Sequence, residues 1–161
     1  MDTLKVGMKH TLEWEVTEKL CTTRGDYQVF STPSMTLFVE MTAHDLAQPH
    51  LKPGQGQVGL SVNIRHLAPT PLGKKVRCDA ELTGIDRRRL MFKVKVYDDV
   101  EQIGDAEHER FVIDIDKYMA RLKAMIDGAA GAAYATGDRR ETSSRFGSNG
   151  FFADCARPSR L

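Results

Sequence analysis

The stretch TPSMTLFVEMTAHDLAQ, residues 32 to 48, constrains the fold more than any other part of the chain. Thr32 and Pro33 open a helix, with Thr32 as N-cap and Pro33 at the first helical position, where its missing N–H costs nothing. Pro49 stops the helix after Gln48. Met35, Phe38, Val39, Thr42 and Leu46 share one face at helical spacing, while Leu37 and Met41 lie on the other side. A helix that is apolar nearly all round has to be enclosed by other structure. Between Asp26 and Asp45 the only Asp, Glu, Lys or Arg is Glu40. A carboxylate in such an element costs stability unless it is paired or used.

The rest of the chain supplies the enclosure. MKHTLEWEVT alternates, with Met8, Leu12, Trp14 and Val16 on one face and Lys9, Thr11, Glu13 and Glu15 on the other, as a half-buried strand does. After the loop PHLKPGQGQ, four extended segments at about 57 to 67, 74 to 86, 88 to 98 and 101 to 114 alternate in the same way. IDRRRL and YDDVEQ supply turns between them, and an antiparallel meander is the economical topology. Residues 18 to 31 show no period and read as an irregular segment with a turn at Arg24-Gly25-Asp26. A second helix is predicted over 115 to 126, its stripe formed by Ile115, Met119, Leu122 and Ile126. Strand, buried helix, four strands, helix makes an α+β layer arrangement. An antiparallel sheet of about five strands wrapped around one long buried helix is the hotdog layout.

With 161 residues, the chain has the length of one domain, assigned to 1–126, and a tail over 127–161 rich in Gly, Ala, Ser and Thr, read as flexible or ordered only by a partner. The net charge of +1 provides no field to attract nucleic acid. Neither an apolar leader nor a membrane-length apolar run is seen, so a cytoplasmic protein is expected. Cys21, Cys78 and Cys155 are too far apart for a zinc site or a disulfide framework, and Cys78 reads as a core thiol. His44 and His50, six residues apart, do not share a helical face, and no metal site is expected.

Four places could carry chemistry. Glu40 shares a small-residue side of its helix with Thr36, Ala43 and Ala47; it could be a satisfied structural carboxylate or a functional one. In QVGLSVNIRHL, Val58, Leu60, Val62 and Ile64 occupy one face, and the same period aims His66 inward. The strand then ends in APTPLG, so His66 lies near the mouth of the layer instead of deep inside it. Thr32 could cap the helix or hold a water or carbonyl at its N-terminus, where free N–H groups favour negative charge. Arg110, in AEHERFVI, could pair with Glu40 or position an acyl group, or could pair at the surface with Glu107 or Glu109. The triplet Arg87-Arg88-Arg89 reads as a solvated turn, with phosphate binding as the alternative.

Thr-Pro at 32 and 33, Glu40 eight residues after Thr32, VGLSVNIRHLAPTPLG at 58 to 73, the DRRRLMFKVKVYDD hairpin and IGDAEHERFVID together resemble the fluoroacetyl-CoA thioesterase type of hotdog protein over about residues 4 to 118. The resemblance implies hydrolysis of a short or small acyl-CoA to free acid and CoA, with Thr32, Glu40 and His66 as the catalytic set and Gly59 and Arg110 as substrate-binding residues. It also implies a homodimer, a role for coenzyme A only as part of the substrate, and no separate cofactor. A long, flat sheet edge would independently favour pairing of two copies. Two rival readings use the same fold: an acyl-CoA sensor or carrier without catalysis, and an enoyl-CoA hydratase.

Overall fold

The computed structural model describes residues 3–135. In chain order the elements are β1 (Lys9–Glu15), β2 (Cys21–Arg24), β3 (Tyr27–Phe30), α1 (Thr32–Ala47), β4 (Gln55–His66), β5 (Lys75–Asp86), β6 (Arg89–Asp98), β7 (Gln102–Asp114) and α2 (Ile115–Ala135). A five-stranded antiparallel sheet has the order β1-β5-β6-β7-β4. Its inner face reads directly from the alternation: Val76, Cys78, Ala80 and Leu82 on β5, Leu90, Phe92, Val94 and Val96 on β6, all buried. Against it α1 buries Met35, Phe38, Val39, Thr42, Ala43, Leu46 and Ala47, the face the spacing predicts. Phe38 anchors the layer, stacked on Trp14 at 4.3 Å between centroids and edge-on to Phe30 at 6.4 Å. The hotdog layout is therefore the observed one.

The other face of the sheet is charged. Lys9 pairs with Glu81, Arg77 with Asp79 and Arg65 with Asp105, and the Arg77 guanidinium lies 4.9 Å over the Tyr97 ring. The Arg87-Arg88-Arg89 turn is part of this framework: Arg89 faces Glu109 at 3.7 Å, and the Arg88 carbonyl accepts from the Val112 N–H.

The structure departs from the sequence pattern in several places. β5, β6 and β7 form a meander, but β4 pairs with β7 at the far edge instead of with β5. The connection after His66 contains Pro69 and Pro71, which cannot donate to a hairpin ladder, so it crosses the sheet end instead. Residues 18 to 31 are not irregular: β2 and β3 form a hairpin around Gly25 and Asp26. Their strands are rich in Thr, Tyr, Val and Phe, and Gly25 takes the positive φ of 58° that a two-residue turn of this kind needs. α2 continues to Ala135, past the predicted end at 126, because its alanines favour helix without an apolar stripe. By contact the chain divides into Met1–Leu122 and Lys123–Leu161. The tail reading for residues 136–161 falls outside the described residues. Among those described, no helix is long and apolar enough to cross a membrane.

Candidate active site

Helix α1 begins one residue earlier than its sequence suggests. Ser31, not Thr32, is the N-cap, its hydroxyl accepting from the Ser34 N–H at 3.2 Å. Ser31 can do this because its backbone is extended, with φ −88° and ψ 150°, while Thr32 already lies within the helix. The Thr32 hydroxyl is thereby released from capping and lies 3.0 Å from His66 Nδ1.

His66 reaches that position through a break in β4. Pairing with β7 runs in register from Gln55 to Gly59 and resumes at Ser61, so that Leu60 is an extra, bulged residue and 55% exposed. One added residue reverses the side-chain alternation. Val62, Ile64 and His66 face inward as expected, but Val58 and Leu60 do not. Gln57 and Gly59 take the inward positions before the bulge. The His66 ring lies edge-on to Phe30 at 6.5 Å, and its Nε2 is buried without a hydrogen-bond partner. Burial pulls the His66 pKa below that of an ordinary imidazole, against a smaller opposing effect of the Ala68 backbone, so the ring is neutral at pH 7.

The second group lies two turns along α1. A methyl group on Gly59 would come within 2.9 and 3.1 Å of the Glu40 carboxylate oxygens, so the absent side chain is what admits Glu40 to β4. Arg110 is paired across the ladder with Gly59 and points inward with it. Arg110 Nη1 is 3.4 Å from Glu40 Oε2 and 3.2 Å from the Glu40 carbonyl, and its Nε donates to Gln57 Oε1 at 2.8 Å. The Arg110 side chain is 6% exposed and the Glu40 side chain 38%, so the cation is enclosed and the carboxylate remains accessible. Burial lowers the Arg110 pKa and Glu40 opposes that shift; a guanidinium stays charged throughout.

The five residues thus form two groups, Thr32 with His66 and Glu40 with Gly59 and Arg110. Among the described residues no hydrogen bond or ion pair joins one group to the other. An open cleft of about 730 Å³ adjoins the first, lined by Cys21, Thr22, Phe30, Thr32, His66 and Pro69 among others. Its outer wall is the β2–β3 hairpin. His44 and His50 are engaged elsewhere, with Asp45 and Thr3 respectively, and among the described residues no group of three His, Cys, Asp or Glu could hold a metal ion. Cys78 is buried in the core, as its strand position suggests.

The family described as FlK, fluoroacetyl-CoA-specific thioesterase, matches residues 7–116, a span that contains both groups. The chain belongs to this family. A fluoroacetyl-CoA thioesterase of Streptantibioticus cattleyicolor is 36% identical over 96 residues, covering 60% of this chain and 69% of that protein. A solved structure of the fluoroacetyl-CoA thioesterase FlK superposes with a TM-score of 0.71 at 30% identity, covering 76% of this chain and 98% of the other. A variant of that enzyme in complex with fluoroacetate and CoA gives a TM-score of 0.67 at 32% identity, covering 71% and 99%. A thioesterase superfamily member from Thermus thermophilus, 22% identical, shares the fold with a TM-score of 0.76 over 81% of this chain and 99% of its own.

Within this thioesterase frame, two residues that the sequence pattern does not single out contact Arg110: Gln57 and His108. His108 was legible, since it lies two residues before Arg110 on one strand and must share its face. Gln57 was not, because the bulge that turns it inward leaves no mark in the alternation.

Proposed function

We propose that this thioesterase hydrolyses a short or small acyl-CoA to the free acid and CoA, with Thr32, Glu40 and His66 as catalytic residues and Gly59 and Arg110 binding the substrate. The observation that carries the reading is the arrangement around Glu40: an accessible carboxylate, let in by a glycine and faced by an enclosed guanidinium, on the same helix as Thr32, whose hydroxyl meets His66 at the end of β4. Such a carboxylate can take a proton from water, so that hydroxide adds to the thioester carbonyl. It can instead attack the carbonyl itself, giving a transient anhydride that water then opens. In both routes the C–S bond breaks and the thiolate needs a proton. The neutral His66 ring can accept at Nδ1, through the Thr32 hydroxyl that meets it, a proton given up by water, and return it by the same route to the thiolate. The Thr32 N–H at the helix start, where Pro33 has none and Ser31 takes the Ser34 N–H, or the N–H at Gly59 can hold the carbonyl oxygen as it gains charge.

The test is release of free CoA, followed with a thiol reagent, from short, branched, halogenated and aromatic acyl-CoAs. Thiol release that falls about 10²- to 10⁴-fold in Glu40→Gln and His66→Ala, in proteins that remain folded, is the expected result. Tight acyl-CoA binding without release would favour the carrier, and water addition to an enoyl-CoA with the thioester intact would favour the hydratase.

The reading extends to a homodimer in the cytoplasm. β4 is twelve residues long and lies at the sheet edge, with Leu60 on it and Leu67 just after it more than half exposed. Pairing two such edges would cover them. A monomer mass by light scattering at micromolar concentration would overturn the dimer. Cys21 and Cys78 are free thiols, which suits a reducing compartment. Coenzyme A enters as part of the substrate; neither a separate cofactor nor nucleic acid has a role in this chemistry.

A further inference from the structure

Arg110 is held by more than the carboxylate it faces. The Glu40 Oε2 contact, at 3.4 Å, is the longest around its guanidinium. The shortest is the 2.8 Å bond from Nε to Gln57 Oε1. Gln57 has no choice of orientation: its amide Nε2 donates to the His44 carbonyl at 3.0 Å and approaches Gln48 Oε1 at 3.3 Å, so its oxygen must be the end that meets Arg110.

His108 is constrained just as tightly. Its Nδ1 lies 2.8 Å from the Ser61 carbonyl, at the β4 bulge. A carbonyl only accepts, so Nδ1 carries the hydrogen. In the neutral ring Nε2 then presents a lone pair, and it lies 3.2 Å from Arg110 Nη1, which donates to it. An imidazolium would direct an N–H at a guanidinium N–H across that distance. The ring is 1% exposed and packs beside Phe92 at 6.1 Å. The charged groups that act on it are Arg110 and Glu109 from β7 and Glu40 from α1.

We propose that Gln57 and His108 are positioning residues that set the Arg110 guanidinium against the Glu40 carboxylate, one at Nε and the other at Nη1. This rests on the reading of Glu40 as the carboxylate that attacks the thioester or activates water. The two residues tie β4, β7 and α1 together through Arg110, adding to the 3.2 Å bond from its Nη1 to the Glu40 carbonyl; that bond and the 3.4 Å ion pair leave the Nε side of the guanidinium and the Glu40 carboxylate unfixed. Displacing a reacting group by about 1 Å costs on the order of 10²-fold in rate, so the clamp acts on turnover although neither residue touches substrate.

The experiment compares His108→Leu, His108→Gln and Gln57→Leu with the wild-type enzyme. The leucine variants are expected to lose about 10- to 100-fold in kcat. His108→Gln, whose amide can again donate to the Ser61 carbonyl and accept from Nη1, is expected to recover most of it. A role limited to packing would lower thermal stability in all three without that recovery. Folded leucine variants with wild-type kcat overturn the proposal, and half-buried Gln57 keeps it testable should His108→Leu fail to fold. Nitrogen NMR of the His108 ring supplies a second readout that needs no substrate. A neutral ring protonated at Nδ1 near pH 7 supports the clamp, and an imidazolium or an Nε2–H ring overturns it. Failure of the wild type to release CoA from any acyl-CoA would sink the thioesterase reading alone, while the spectrum still judges the clamp.

Discussion

Replacement of Gly59 by alanine separates stability from catalysis at this site. Gly59 is not among the glycines with positive φ, so alanine meets no backbone objection there. The obstacle is the Glu40 carboxylate, with Oε1 2.9 Å, Oε2 3.1 Å and Cδ 3.3 Å from the added Cβ. To regain ordinary van der Waals contact the carboxylate has to retreat by about 0.5 Å. Its bond from Arg110 Nη1 is already 3.4 Å long, so a retreat of that size removes it. Because the Glu40 side chain is 38% exposed, the flexible carboxylate can swing toward water, and the folded state loses little. Stability measured by urea unfolding should change by no more than about 1 kcal/mol. Turnover should fall about 10- to 100-fold, because the carboxylate no longer sits where the thioester or its water must be met. The assay is steady-state CoA release at saturating acyl-CoA, with kcat and KM determined separately. A Gly59→Ala enzyme with kcat within about twofold of wild type would refute the claim that the missing side chain exists to seat Glu40.

Acid should destabilise the protein through its two inward imidazoles. Burial lowers the pKa of both His66 and His108 below the usual value of 6.5, so the unfolded chain binds protons first as pH falls. Their contribution is complete above pH 6.5 and is lost as pH falls from there toward the lowered folded values. Asp105, held below the ordinary carboxylate value of 3.8 by its hydrogen bond to Arg65, loses its contribution in a lower pH range. Urea midpoints measured from pH 7.5 to 5 test this, and a midpoint that stays flat or rises across that interval contradicts it. Cys78, its thiol pushed up to about 12 by burial, should resist a thiol reagent until the protein unfolds, and a native-state label on Cys78 found by mass spectrometry would count against the packing described here.

Much of the fold and part of the site were legible in the sequence because they depend on local periodicity. An alternating strand has to put one face on the core. The apolar circumference of α1 has to be surrounded, and Glu40, alone in that run, had to have a partner or a use. His66 was aimed correctly because the stretch from Val62 to His66 keeps strict alternation after the bulge. His108 and Arg110 share a face for the same reason.

What only the tertiary structure decided are the places where backbone registers and distant contacts compete with local pattern. The bulge at Leu60 comes from pairing with β7, and it alone turns Gln57 and Gly59 toward Arg110 and Glu40. Capping by Ser31 depends on where the chain leaves β3, and it releases the Thr32 hydroxyl for His66. The placement of β4 beside β7, away from its neighbour in sequence, depends on the sheet closing around α1. Side-chain periodicity reports which face a residue takes and is blind to which strand lies beside it. Pairing is set by the free energy of burying the whole helix at once.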